Sequence, residues 1–154
     1  EIRPRDWSSD VCSSDLALKG KKMAKISMTI EEYTSFDPVF VRPDTMVEEV
    51  IRLLHKHGFR HLPVVERDQA VGVISDRDIL IARPLANPEG LRAGDVMTKE
   101  PYSVSIDASL EEVALELSRR KFGSAMVYDR NQKFCGIFTA TDALNALVEV
   151  LRGD

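Results

Sequence analysis

Apolar residues recur along the chain at two different spacings, and the alternation of those spacings is itself repeated. Val47, Val50, Ile51 and Leu54 fall on one face of a 3.6-residue turn, as do Leu110, Val113, Ala114 and Leu117, so each set predicts an amphipathic helix. Ahead of each helix stands a short β-prone run behind a proline: "VFV" after Pro38 and "YSVS" after Pro101. Behind each helix come two β-rich runs around a polar turn. "HLPVV" and "AVGVIS" flank "ERDQ", and "SAMVY" and "KFCGIF" flank "DRNQ", which predicts two hairpins. A further helix is expected from Ser75 in the first copy and from Thr139 in the second. Thr45 with Glu48, and Ser109 with Glu112, fit capping boxes at the first helix of each copy, with Asp44 and Asp107 as rival caps. Gly58 closes the first of these helices, and Gly123 follows the second.

The unit β-α-β-β-α is therefore written twice. Pro38 to Leu80 and Pro101 to Leu144 align throughout with one extra residue in the second hairpin turn: Asp44 falls on Asp107, Phe59 on Phe122, Gly72 on Gly136 and Asp78 on Asp142. A unit of ~45 residues is too small to hold a core alone, so two copies must bury their sheets and helix faces against each other. The expected fold class is α/β (α+β), two tandem repeats packed as a pseudo-twofold sandwich with a cleft at their seam. The repeats are expected over residues 28–81 and 95–150, with a linker at 82–94 that holds Pro84, Pro88, Gly90 and Gly94. "GDVMT" leads into the second copy much as "EEYTSF" leads into the first.

Composition narrows the function classes. The 154 residues are 44% hydrophobic and 30% charged, the balance of a soluble globular chain, and no apolar run approaches the ~18 residues of a membrane span. The N-terminus lacks the apolar core of a secretory signal. A net charge of −4 with no basic block speaks against a nucleic-acid partner. Two cysteines, Cys12 and Cys135, make neither a disulfide framework nor a ligand cluster, which fits a cytoplasmic location. From Arg5 to Leu16 the chain resembles a sequencing-library adapter translated in frame, and residues 1–22 are expected to be a non-native or disordered leader. That segment carries five cationic and four acidic side chains, so the remainder stands at −5 and the charge argument is unchanged.

The candidate chemistry lies at the repeated strand-to-helix junctions, "GVISDRD" and "GIFTATD". A hydroxyl with an aspartate three residues on is a capping box, and that reading needs no ligand. The same geometry suits a nucleotide. The helix start offers N–H groups and a positive dipole end to a phosphate, the hydroxyl donates to it, and the carboxylate accepts from a ribose diol. Gly72 and Gly136 leave room for ligand or backbone. Other candidates read more plainly. His55 and His57 are two apart on a helix and face different sides, so they are solvated surface rather than a metal pair. His61 has no nucleophile beside it and is better placed near a ligand than as a general base. Cys135 reads as an inert packed thiol within a strand. Phe59 and Phe122 suit core packing or stacking on a base.

Both copies resemble CBS domains, and the pair resembles a Bateman module of the stand-alone bacterial type. The likeness rests on "GVISDRDIL" and "GIFTATDAL", "RHLPVV" and "GSAMVY", and "DVMTKEPYSVSIDASLEEVA", and spans residues 28–150. It implies a regulatory, non-catalytic module that binds adenosine-containing ligands, with AMP, ADP or ATP as the first candidates, S-adenosylmethionine as another, and no cofactor or metal. By that resemblance Asp78 and Asp142 hold ribose, and Ser75 and Thr139 contact phosphate, helped by Arg77 and Thr141. Phe59, Arg60 and His61, with Phe122, Gly123 and Ser124, line the adenine and phosphate region. Arg60, His61 and Arg77 make the first copy's set cationic, so a polyphosphate is expected toward that copy. The resemblance further implies a homodimer and an effector protein in trans, with neither nucleic acid nor membrane as partner. Two other readings stay open: an interaction module with empty clefts, and a regulatory fragment of a larger enzyme or transporter, such as the insert of an inosine monophosphate dehydrogenase.

Overall fold

The computed structural model of the chain describes residues 28–82 and 90–153. The expected leader, Cys12 and most of the linker lie outside that range. The elements in chain order are β1 (Ser35–Phe36), α1 (Val47–His57), β2 (His61–Glu66), β3 (Gln69–Ser75), α2 (Asp76–Ala82), α3 (Ala93–Val96), β4 (Thr98–Lys99), β5 (Ser103–Ser105), α4 (Leu110–Arg120), β6 (Ser124–Tyr128), β7 (Phe134–Thr139) and α5 (Ala140–Arg152). A 3-10 turn, Ile30–Tyr33, precedes β1 and stands where α3 stands before β4. Ala93 and Gly94, expected in the linker, are the first residues of α3.

The strands form two sheets, ordered β1-β7-β6-β5 and β2-β3-β4. The lead strands are exchanged. β1 precedes the first repeat yet pairs with β7 of the second, Phe36 opposite Gly136, while β4 precedes the second repeat and pairs with β3 of the first, Lys99 opposite Gly72. This exchange explains both motif glycines. A Cβ at Gly136 would stand 2.5 Å from Thr34 Cγ2 and 2.9 Å from the Ser35 carbonyl oxygen, and one at Gly72 would stand 2.4 Å from Met97 Sδ. The glycines make room for the crossing lead segments, so of the two expected uses it is approach of backbone and its side chains that they serve.

Two local expectations fail for reasons that can be named. "VFV" forms no strand; Val41 makes only a parallel bridge to Val64. In the second repeat the Met126 N–H donates to the Tyr102 carbonyl at 2.8 Å, whereas Pro63 stands at the equivalent position and has no N–H to give. The first-helix capping boxes also do not form. The N-cap residues are Met46 and Ser109, and neither makes a side-chain cap bond. Thr45 Oγ1 instead accepts from the Arg42 N–H at 3.0 Å. The leading N–H groups find backbone carbonyls of the incoming lead segments, Val47 to Leu91 at 3.0 Å and Leu110 to Met28 at 2.9 Å, so the orphan donors of each helix start need no hydroxyl. Gly58 ends α1 in the left-handed region at φ 66°, as expected; α4 ends the same way on Lys121, at φ 57°.

Each repeat has its own core. The first packs Val50, Leu54, Leu62, Val64 and Ile74 with Ala93, and the second packs Val113, Leu117, Val127 and Phe138 with Ile30. Ala93 and Ile30 belong in sequence to the opposite repeat, so the exchange extends into both cores. A third cluster, Ala70, Met126 and Ile137, lies between the sheets and joins the repeats. Polar bonds at the hairpin tips reinforce it: the Ala70 N–H donates to Tyr128 Oη at 2.9 Å, and Gln69 Nε2 to the Gln132 carbonyl at 2.8 Å.

Candidate functional site

The two strand-to-helix junctions are built alike. At the β3–α2 junction, Asp78 Oδ2 accepts from the Ser75 N–H at 2.7 Å and from its hydroxyl at 2.8 Å, and the Asp78 N–H donates to Ser75 Oγ at 3.2 Å. At the β7–α5 junction, Asp142 Oδ2 accepts from the Thr139 N–H at 2.7 Å and from its hydroxyl at 2.6 Å, and the Asp142 N–H donates to Thr139 Oγ1 at 3.3 Å. Both are complete capping boxes. Each hydroxyl gives its one proton to its own aspartate, so it stands as an acceptor; a hydroxyl-to-phosphate bond requires it to turn. The second oxygen, Oδ1, of each aspartate accepts from no donor among the described residues.

Each junction opens onto a cavity at the seam between the repeats, and the seam mixes them. The Asp78 cleft, about 680 Å³, unites Ser75, Arg77 and Asp78 of the first repeat with Phe122, Gly123 and Ser124 of the second. The Asp142 cleft, about 580 Å³, unites Thr139, Thr141 and Asp142 with Phe59, Arg60 and His61. All twelve residues singled out from the sequence therefore line a cleft, but the grouping by repeat does not hold. Arg60 and Arg77, expected to act together, line different clefts and meet only at a shallower outer groove with Asp76 and Leu80. The reason is the exchange of the lead strands, which seats each repeat's junction against the other repeat's strand entry.

His61 lines both clefts. Its ring fills the space a side chain at residue 123 would need, since a Cβ on Gly123 would fall 2.1 Å from His61 Nε2. Burial holds the imidazole below the usual histidine range, against the raising effect of Asp76 and Asp78, so the ring is neutral at pH 7. Phe59 and Phe122 are 40% and 39% exposed at the cleft mouths and belong to neither core. Phe59 stacks on His57 with centroids 5.0 Å apart, and Phe122 has the Arg120 guanidinium 5.9 Å from its centroid. Cys135 is half-buried in β7, donates to the Val127 carbonyl at 3.4 Å, and has its thiol pushed up mainly by burial, as an inert packed thiol should.

Sequence reasoning missed the part of each cleft supplied by the lead strands and the helix ends. Lys99 and Glu100, with Arg120 and Lys121, line the Asp78 cleft, and Phe36 and Asp37 line the Asp142 cleft. Asp37 and Glu100 share a left-handed backbone, φ 49° and 51°, which turns the chain out of β1 and β4 alike. The likeness of "EEYTSF" to "GDVMT" was the available signal, but it carries no information about which sheet a lead strand joins. Among the described residues no group of three or more His, Cys, Asp or Glu side chains converges as a metal site would require. No helix among them is long and apolar enough to cross a membrane.

Two β-α-β-β-α repeats that exchange lead strands and hold two polar clefts at their seam define a tandem-repeat α/β pair. The chain belongs to the CBS domain family, whose profile matches residues 30–84 and 93–149. It is 31% identical over 120 residues to the inosine-5'-monophosphate dehydrogenase of Korarchaeum cryptofilum, covering 78% of this chain and 24% of that enzyme. It superposes with a TM-score of 0.70 and 28% identity on CBSX2 of Arabidopsis thaliana in complex with AMP, covering 79% of this chain and 97% of that one. It superposes with a TM-score of 0.69 and 25% identity on the CBS domain pair of protein MJ0100, solved with 5'-methylthioadenosine and S-adenosyl-L-methionine, covering 78% and 95%. The chain spans between 24% and 60% of the length of the first curated relatives it matches.

Proposed function

We propose that this CBS pair is a regulatory, non-catalytic sensor of adenosine-containing ligands, with AMP, ADP or ATP as the leading candidates and S-adenosylmethionine as an alternative. One observation carries the reading: each cleft is lined both by an aspartate with an oxygen that no donor among the described residues reaches and by a part-exposed phenylalanine from the other repeat. An aromatic face for a base and an acceptor for a ribose diol are the two groups a nucleoside needs, and both line one cleft of suitable volume. The AMP bound by CBSX2 and the methylthioadenosine and S-adenosylmethionine bound by the MJ0100 pair support the same ligand class. Because each cleft takes one wall from each repeat, a ligand that fills it changes how the repeats are held, and this is the route from binding to regulation.

The output is read in the cytoplasm by whatever surface contacts the pair, whether a further domain, another chain or a second copy of this one. Leu80 and Ile81 on α2 and Leu144, Leu147 and Leu151 on α5 are all at least half exposed, an apolar surface suited to a homodimer. A second reading, an interaction module with empty clefts, is favoured by the capping boxes, which already satisfy both hydroxyl–aspartate pairs. Thermal unfolding of the protein against AMP, ADP, ATP and S-adenosylmethionine decides between them. A ligand specific to the folded state at ~100 times its Kd adds about 2.7 kcal/mol. A shift with at least one of them, weakened in Asp78→Asn or Asp142→Asn, supports the sensor; flat melting temperatures with all four favour the interaction module.

A further inference from the structure

The two clefts share a plan, and their charges differ at matched positions. Lys99 in the Asp78 cleft stands where Phe36 stands in the Asp142 cleft, each opposite a motif glycine. Lys121, the left-handed end of α4, stands where Gly58 ends α1. Arg77 stands where Thr141 does, one residue before the aspartate. The Asp78 cleft is lined by Arg77, Lys99, Arg120 and Lys121 against Asp76, Asp78 and Glu100, whereas the Asp142 cleft has Arg60 alone against Asp37 and Asp142. Arg120 is already engaged by Glu116 at 2.9 Å. No carboxylate among the described residues lies within ion-pair distance of Arg77, Lys99 or Lys121.

Resting on the nucleotide reading above, we propose that the clefts sort adenosine ligands by phosphate charge: the Asp78 cleft takes the di- or triphosphate, and the Asp142 cleft takes an adenosine with one phosphate or none. The cations come from three separate elements that meet at this one cavity. Lys99 comes from β4, Lys121 from the end of α4 and Arg77 from the start of α2. A chain of two or three phosphates carries about three to four negative charges and reaches past the helix start; only a cleft with cations on several walls meets it along its length. In the Asp142 cleft the same chain would find Phe36, Gly58 and Thr141 where the Asp78 cleft has Lys99, Lys121 and Arg77, while Asp37 and Glu100 put a like charge at matched positions in both. His61, neutral and shared, adds charge to neither. The grouping by repeat placed a polyphosphate near Arg60, His61 and Arg77 together; the exchanged strands give it instead Arg77 from one repeat with Lys99 and Lys121 from the other's territory.

The test is calorimetric titration of the full chain with adenosine, AMP and ATP, in the wild type and in the Lys99→Gln/Lys121→Gln double variant, whose substitutions are at exposed side chains. ATP affinity is expected to fall by about tenfold or more in the double variant, and the salt dependence of ATP binding to flatten, while adenosine affinity stays within about twofold. The reverse variant, Phe36→Lys, is expected to add a second ATP equivalent. ATP binding that is unchanged in the double variant, or that falls further in Arg60→Gln, overturns the sorting but leaves the nucleotide reading intact. If neither adenosine, AMP nor ATP binds the wild type, both fall together. A double variant that melts below the wild type without ligand is replaced by Arg77→Gln, read by the same ratio of ATP to adenosine affinity.

Discussion

The two repeats carry the same hairpin in the same register, yet they place their bulk differently. Where the first repeat has Leu62, Ile74 and Ala93 in its core, the second has Ala125, Phe138 and Ile30 at the matched positions. A leucine shrinks to alanine on one strand, while an isoleucine grows to phenylalanine on the next and an alanine grows to isoleucine on the incoming lead turn. Cores tolerate such exchanges when total volume and patterning are kept. The residues that trade volume include two, Ile30 and Ala93, that lie in sequence before the opposite repeat. Neither core can therefore be complete without the other repeat's lead segment, and the pair is the folding unit.

The largest test of that comparison is Phe138→Ala against Ile74→Ala. Phe138 is fully buried and supplies the bulk that Ala125 lacks, so its loss is expected to cost about 4 kcal/mol, against about 3 kcal/mol for the smaller Ile74, by urea unfolding. Equal costs would mean that the two cores collapse alike around a cavity and that the redistribution of volume has no energetic consequence.

The motif glycines sharpen the contrast further. At Gly136 an added methyl meets the Ser35 carbonyl as well as Thr34, and backbone cannot swing away; at Gly72 it meets the flexible Met97 side chain. Gly136→Ala is expected to destabilise by about 2–3 kcal/mol and Gly72→Ala by about 1 kcal/mol, measured in the same unfolding series. A reversed order would show that β1 moves more freely over β7 than β4 does over β3.

The smallest effect concerns His61, which the second repeat replaces with Ser124. Burial lowers the folded-state pKa of His61 beneath its ordinary 6.5, so the unfolded chain binds the proton more readily than the folded one. The stability tied to its neutral form is complete above pH 6.5 and is lost as pH falls through the folded value. His61→Gln is expected to lose less stability between pH 8 and pH 5 than the wild type does. An identical loss would show that His61 does not titrate between the folded and unfolded states.

Most of the architecture could be read from local pattern. The helical faces of α1 and α4, the two hairpins and the Ser75–Asp78 and Thr139–Asp142 boxes follow from spacing and turn residues, because hydrogen bonds within a few residues of each other make them. The twelve candidate residues fall at matched positions of the internal repeat, which by itself singled out Ser75, Asp78, Thr139 and Asp142; the other eight came from the resemblance to CBS domains. What could not be read was which repeat each lead strand would join. β1 and β4 are two residues long, too short for their own pattern to choose a partner, and their pairing is settled by where Ile30 and Ala93 find buried volume and where Gly136 and Gly72 leave space. That choice moves Lys99 to Asp78, seats Arg60 with Asp142 and separates Arg60 from Arg77. Local sequence thus carries the shape of each half-site, while the composition of each cleft depends on long-range packing between segments some thirty to a hundred residues apart, whose energies no short stretch of chain encodes.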